Sequence, residues 1–322
     1  LYIENVVDEY VENYIMPTVQ ADAVFEYKYL LGTATARPLI AKVLVDVARK
    51  EGAVAICHGA TGKGNDQIRF ELGIKALAPD LKIIAAWRDP KWTMDSRESE
   101  IEYCRAHGIN LPFSADNSYS RDRNIWHISH EGLELEDPSC APNYDHLLVL
   151  SNSPEKAPEE DVHLSIDWEK GVPVALNGEK LSQREILEKL NEIGGQHGIG
   201  IIDIVENRVV GMKSRGIYET PGGEIFYAAH NYLESATLDK DTLHLKQRLS
   251  LEFADLIYNG KWYSKTCKAI NAFMDETQEN VTGSVKLKLY KGNIKPAGIF
   301  SDHKLYDQSI SSFGDSELYD HK

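Results

Sequence analysis

The chain holds 322 residues, with 35 Lys plus Arg against 50 Asp plus Glu, a formal charge of −15, and its length suits two domains with proper cores. That acidic balance, without a basic stripe, excludes a protein that covers nucleic acid or lies on an anionic membrane surface. Four scattered cysteines, Cys57, Cys104, Cys140 and Cys267, exclude a disulfide framework or a cysteine-built zinc site, and a reducing cytoplasm is the expected compartment. The longest apolar runs, such as Ala53–Cys57 and Ile199–Ile202, are too short to span a bilayer, and Leu1–Asp8 is no targeting signal.

From Arg37 to Glu51 the apolar positions Leu39, Ile40, Val43, Leu44 and Val47 recur at helical spacing, and Gly52 stands where a helix stops. Ala53–Cys57 follows as a short apolar strand. After it come a glycine-rich loop over 58–66, a helix over about Gln67–Leu77, a buried strand over Lys82–Trp87 and a helix over Ser96–His107 closed by Gly108. This alternation is that of a parallel α/β sheet, whose ligands collect at the carboxyl ends of strands, and the 58–66 loop lies at such an end. Beyond Gly108 the strands read as antiparallel and the loops lengthen through Pro138, Pro142, Pro154 and Pro158, which sets a domain boundary there. Ser182-Gln-Arg-Glu185 is a capping box before Ile186, Leu187 and Leu190, with Gly194-Gly195 as the end of that helix. Strands are expected over Ile199–Val205 and Val209–Met212, and Pro221-Gly222-Gly223 turns the chain into Glu224–Ala228. Asp239–Tyr258 and Trp262–Glu276 are the longest helical stretches, the first with Leu245, Leu249, Phe253 and Leu256 on one face. Val285, Leu287 and Leu289 alternate with polar neighbours in a half-wet strand that turns at Gly292-Asn293. The whole is an α/β domain followed by a larger α+β domain.

His58-Gly-Ala-Thr-Gly-Lys-Gly-Asn-Asp66 is not a Walker A loop, because Cys57 and Gly64 stand where that motif needs glycine and a hydroxyl. Its glycines still let a ligand reach the backbone, and free N–H groups at a helix start favour an anion. Thr61, Asn65 and Asp66 add hydroxyl, amide and carboxylate, and Arg69 lies on the same helix face as Asn65, a mixture suited to an amino acid. The plain alternative is a glycine-rich turn with Asn65 or Asp66 capping the helix. A second cluster, Arg208–Thr220, offers Lys213 and Arg215 to a charged ligand, with Glu206 as acceptor for an ammonium; its plain alternative is a tight turn with solvated cations. Ser120 and Ser129 offer hydroxyls in a third stretch. There His127, His130 and Glu131 suggest a metal only weakly, since such spacing recurs by chance.

Together these stretches resemble the argininosuccinate synthase family. The resemblance rests on Tyr29-Leu-Leu-Gly-Thr-Ala-Thr-Ala-Arg-Pro-Leu-Ile-Ala41, on His58 to Glu71, on Asp122-Arg-Asn-Ile-Trp-His-Ile-Ser129, on Asp203-Ile-Val-Glu-Asn-Arg208 and on Gly211 to Pro221. It implies a parallel-sheet nucleotide-binding domain of the N-type ATP pyrophosphatase, HUP or Rossmann-like kind over 1–108, then a synthetase domain for catalysis and multimerisation over 109–322. It also implies a ligase that uses ATP and Mg²⁺ to join citrulline to aspartate through a citrullyl-adenylate, releasing AMP and pyrophosphate, a step of arginine synthesis and the urea cycle. Such chemistry needs positioning and charge neutralisation more than a covalent nucleophile. Carried over residue by residue, the family's aspartate contacts fall on Thr61, Asn65 and Asp66. Its citrulline contacts fall on Tyr29, Asn65, Arg69, Ser120, Ser129, Glu206 and Tyr218, and an ATP contact falls on Gly59. Ala34 stands where the family often has a citrulline-contacting Ser, which leaves only a backbone contact.

The family's S-G-G-x-D-T-S phosphate loop does not occur in the chain, which opens on Leu1 rather than Met, and the family's C-terminal clasping helix is not seen before Lys322. Front and tail are therefore expected to lie outside this sequence, so that the 322 residues alone turn over little while a homotetrameric full-length parent is active. The alternatives are another adenylating synthetase of the same superfamily, or a non-catalytic fragment that keeps an amino-acid pocket. With an acidic surface, the groups that admit ATP and aspartate are expected to be local: the loop amides, Lys63, Arg69, Lys213 and Arg215.

Overall fold

The structure, a computed structural model, describes residues 1–62, 64–94, 96–111 and 119–311. It opens with α1 (Val7–Tyr10), one π-helical turn (Val11–Ile15) and α2 (Met16–Gln20), followed by α3 (Gly32–Lys50). β1 (Ala55–His58), α4 (Asp66–Leu77) and β2 (Lys82–Ala85) come next, with β1 and β2 parallel and His58 opposite Ala85. α5 (Arg97–Ala106) is capped by Ser96, whose hydroxyl accepts from the Ser99 amide. This is the order that the periodicity predicts. The difference is that α3 starts at Gly32 rather than Arg37: residues 32–36 are all buried, so no polar face marks that first stretch as helix.

The remainder is antiparallel in its strands. β3 (Ile128–His130), α6 (Tyr144–Leu147), β4 (Val162–Glu169), β5 (Val172–Leu176), β6 (Glu179–Lys180) and α7 (Gln183–Gln196) lead to β7 (Ile201–Asn207) and β8 (Lys213–Glu219). Then follow α8 (Pro221–Thr237), α9 (Lys240–Tyr258), α10 (Lys265–Thr277), β9 (Gly283–Tyr290), β10 (Asn293–Phe300) and α11 (Gln308–Ser311). One sheet has the order β10-β9-β4-β5-β6 and another β3-β8-β7.

Val285, Leu287 and Leu289 face inward from β9, as their alternation predicts, and meet Leu164, Ile166 and Trp168 of β4 beneath α7 and α8. Tyr10, Val11, Tyr14, Ile15 and Val19 enter the same core, so the opening of the chain is packed into its later part. α3 and α4 cover the parallel pair through Ala41, Val45, Ile56, Ile74 and Leu81. Among the described residues no helix is long and apolar enough to cross a membrane.

Four local expectations are corrected. α7 does not stop at Gly194-Gly195 but runs through both, because a Cβ on Gly195 would stand 2.2 Å from the Leu150 carbonyl oxygen: that glycine serves close packing, not termination. Val209–Met212 is a turn, not a strand, and the paired strand is the polar stretch Lys213–Glu219, whose membership depends on β7 beside it. Pro221 is the first residue of α8, where a missing N–H is harmless. On α9, Leu245 is exposed while Lys246, Ser250, Phe253, Ala254 and Ile257 face inward, because Lys246 is drawn into a buried ion pair.

Candidate functional site

β1 ends at His58, and the loop after it delivers Asn65 and Asp66 to the start of α4. Arg69, one turn on, is only 3 % exposed. Its Nε donates to the Tyr258 carbonyl at 3.0 Å, its guanidinium lies 4.8 Å from the centroid of the Tyr258 ring, and its Nη1 stands 3.4 Å from Asp66 Oδ1. The close approach of α9 to α4 depends on Gly260, whose φ is +73° and on which a Cβ would lie 2.8 Å from Arg69 Cα. A hairpin over 120–131, in which Ser120 and Glu131 exchange backbone hydrogen bonds at 2.8 and 3.0 Å, brings Ser120 and Ser129 to the same cavity. β7 supplies Glu206 and β8 supplies Tyr218, whose hydroxyl donates to Glu206 Oε1 at 3.0 Å.

These side chains line a cavity of about 280 Å³, with Tyr29 and Thr61. Of the residues named from the sequence, Tyr29, Thr61, Asn65, Asp66, Arg69, Ser120, Ser129, Glu206 and Tyr218 all face it, whereas Gly59 sits exposed at the end of β1 and is not part of the lining. Lys63 lies outside the described residues. Lys213 and Arg215 are not in the cavity: Lys213 donates to Asn207 Oδ1 at 2.8 Å, and Arg215 forks onto Asp203 at 2.9 and 2.6 Å. Sequence reading passed over Arg37, Asp122 and Tyr258. Arg37 and Asp122 stand inside quoted blocks, while Tyr258 ends a helix that reads only as amphipathic.

The charges at the cavity are interlocked. Arg37 Nη2 bridges Asp66 Oδ2 at 2.6 Å and Asp122 Oδ2 at 2.8 Å. Burial opposes ionisation of Asp66, but the Arg37 hydrogen bond and charge prevail and hold its carboxyl below the usual range. Arg208 Nη2 reaches Glu131 Oε2 at 2.5 Å. Glu206 differs: burial pushes its carboxyl up to about 7, against the Tyr218 hydrogen bond and the Arg69 charge. Of the residues that line the cavity, Arg69 and Glu206 each keep a buried atom unpartnered, Nη2 and Oε2. An orphaned buried donor or acceptor costs about 1–3 kcal/mol, so a ligand that completed both would gain by doing so.

The histidines do not form a metal centre together. His127 Nε2 pairs with Thr33 Oγ1 at 3.1 Å, and burial pushes its ring down to about 3, while His130 Nε2 meets Glu219 Oε1 at 2.7 Å. Among the described residues the group with metal-ligand geometry is Asp22, His230 and Glu234, and Lys246 hydrogen-bonds to both of its carboxylates.

A parallel strand-loop-helix unit that opens on a cavity with a buried arginine and a buried glutamate defines an α/β protein of the synthetase kind. The family described as Arginosuccinate synthase N-terminal HUP domain matches residues 1–110, and that described as Arginosuccinate synthase C-terminal domain matches residues 119–322. The argininosuccinate synthase of Agathobacter rectalis is 65% identical over 321 residues, that of Lachnoclostridium phytofermentans 66% over 322 and that of Lachnospira eligens 64% over 321. Each alignment takes in 100% of the chain and 79% of the relative. The chain belongs to the argininosuccinate synthase family.

Proposed function

We propose that the protein condenses citrulline with aspartate at the expense of ATP, through a citrullyl-adenylate, in arginine biosynthesis. The observation that carries this reading is the unpartnered pair Arg69 Nη2 and Glu206 Oε2 in one cavity of about 280 Å³, a cation and an anion set for the carboxylate and the ammonium of one amino acid. Citrulline lies between them, with the hydroxyls of Tyr29, Ser120, Ser129 and Tyr218 around its chain and ureido group. Its ureido oxygen attacks the α-phosphorus of ATP and pyrophosphate leaves. Thr61, Asn65 and Asp66 hold aspartate, whose amine, once free of its proton, attacks the ureido carbon and displaces AMP. Asp66, kept ionised by Arg37, accepts from that amino group. The exposed strand end at Gly59 leaves backbone amides for the ATP phosphates.

The carboxylates at the cavity do not fit a metal held by the protein. Arg37 bridges Asp66 and Asp122, and Glu131 holds Arg208. Any Mg²⁺ therefore travels on the nucleotide phosphates, and no residue role here depends on it. The same reading includes a division into a nucleotide-binding part to about residue 108 and a synthetase part after it, a homotetramer and a cytoplasmic location. The change from parallel to antiparallel pairing after β2 supports the division.

Calorimetry with citrulline, and pyrophosphate release that depends on ATP, citrulline and aspartate together, test the function. The expected results are citrulline binding that Arg69→Ala weakens at least about a hundredfold, by leaving the carboxylate unpaired, and, in the full-length parent, turnover that fails when any substrate is omitted. Unchanged citrulline affinity in Arg69→Ala overturns the assignment.

A further inference from the structure

Tyr258 closes α9, 1 % exposed, and touches both sides of the cavity. Its carbonyl accepts from Arg69 Nε at 3.0 Å, and its hydroxyl stands 3.0 Å from Asn65 Nδ2. The orientation of that amide follows from chemistry. Asn65 Oδ1 is 2.9 Å from the Val209 backbone N–H, which can only donate, so the oxygen faces Val209 and the NH₂ faces the phenol. The phenol accepts from Asn65 and keeps its own proton to donate; Glu206 lines the same cavity, with Oε2 as an unpartnered acceptor whose ionisation a nearby phenol favours. Below, the ring stacks on Phe25 with centroids 3.6 Å apart and meets Tyr29 edge-on at 6.1 Å. The hydroxyl thus joins an amide on the aspartate side to the cavity that Glu206 lines on the citrulline side, while the ring is held by packing that does not need the hydroxyl.

Resting on the functional reading above, we propose that Tyr258 is a positioning residue that couples the two amino-acid half-sites: its hydroxyl orients Asn65 for aspartate and polarises Glu206 for the citrulline ammonium. The groups that face Glu206 are Tyr218 from β8, Arg69 from α4, Tyr29 before α3, Glu131 after β3 and Tyr258 itself, so deletion of this one hydroxyl removes a single donor and leaves the other charges in place.

Tyr258→Phe tests this, since it keeps the ring and removes only the hydroxyl. By calorimetry it is expected to weaken citrulline and aspartate each about tenfold, with the thermal midpoint of the wild type, and to move the rise of citrulline affinity with pH to a higher pH. A variant with wild-type affinities and pH profile overturns the proposal, as does one that no longer melts cooperatively, because the hydroxyl then holds the fold rather than the site. Phe25→Leu, which loosens the stack and keeps the hydroxyl, is expected to lower the melting temperature and leave the pH profile in place; a shift equal to that of Tyr258→Phe overturns the proposal as well. Absence of citrulline binding in the wild type overturns the functional reading, and the proposal with it, whereas wild-type binding beside an unaffected Tyr258→Phe overturns the proposal alone.

Discussion

Glu206 shows how far a residue's behaviour is set by its surroundings. In water its carboxyl is fully ionised at neutral pH, but burial raises its pKa to about 7. The folded protein therefore holds this proton more tightly than the unfolded chain. Its contribution to stability is complete below the ordinary carboxylate pKa and is lost as the pH rises through about 7. Binding has the opposite sign, because only the ionised form can take an ammonium. Citrulline affinity is expected to rise between about pH 6 and about pH 8 in the wild type. Glu206→Gln is expected to bind about ten to a hundred times more weakly at the upper end, with the pH dependence gone. Calorimetry at the two pH values checks both, and a Gln variant that keeps the slope would move the titration to another group. Glu206 as a candidate was legible in the sequence, through the Asp203–Arg208 block. Its raised pKa was not, since burial is a property of the assembled cavity.

At the scale of the elements, the junction of the segment after α2 with α8, α9 and α10 is closed by a buried polar network. Lys246 hydrogen-bonds to Asp22 and, at 2.8 Å, to Glu234 Oε2; His230 Nε2 meets Gln278 Oε1 at 2.8 Å, and Gln278 Nε2 donates to Glu234 Oε1 at 2.7 Å. The Lys246 and His230 charges hold Asp22 ionised despite its burial. Lys246→Met removes the cation from a site that keeps both carboxylates, a loss of about 3–5 kcal/mol and a fall of about 10 °C in the melting temperature of a chain this long. A thermal melt decides this, and an unchanged midpoint would show that the lysine contributes nothing. The network explains why α9 defeats an apolar-periodicity reading. Its inward face carries a lysine, while Leu245 and Leu251 of the same helix lie on the exposed side. Strand β8 defeats it for a related reason: Lys213-Ser-Arg-Gly216 is polar, and only pairing with β7 makes it a strand.

For the molecule as a whole, the division read near residue 108 meets a packing fact. Tyr10, Val11, Tyr14, Ile15 and Val19 are buried in the same core as β4, β9 and α8, where the π-helical turn meets α7 and α2 meets α8 and α10, so the later part completes its core with the chain's opening. Burial of each such side chain contributes about 1.5–3 kcal/mol, and their sum rivals the net stability of a domain, about 5–15 kcal/mol. Residues 109–322 expressed alone are therefore expected to give no cooperative melt by circular dichroism, and co-expression with residues 1–31 to restore one. A sharp transition in 109–322 alone would show that the later part needs nothing from the opening.

The sequence by itself determined what is local: the parallel strand-loop-helix order, the capping of α7 by Ser182, the wet and dry faces of β9, and the grouping of Asn65, Asp66 and Arg69 within one helical turn. Short-range sterics and periodicity suffice for these. Only the tertiary structure decided which distant groups complete the site: Tyr258 reaches Asn65 across 193 positions, and Arg37 reaches Asp122 across 85. Those pairings, and the burial that leaves Arg69 and Glu206 each with an atom unpartnered, come from the packing of α9 and the 120–131 hairpin against α4. No periodicity encodes them, because a contact between remote segments has no repeat along the chain.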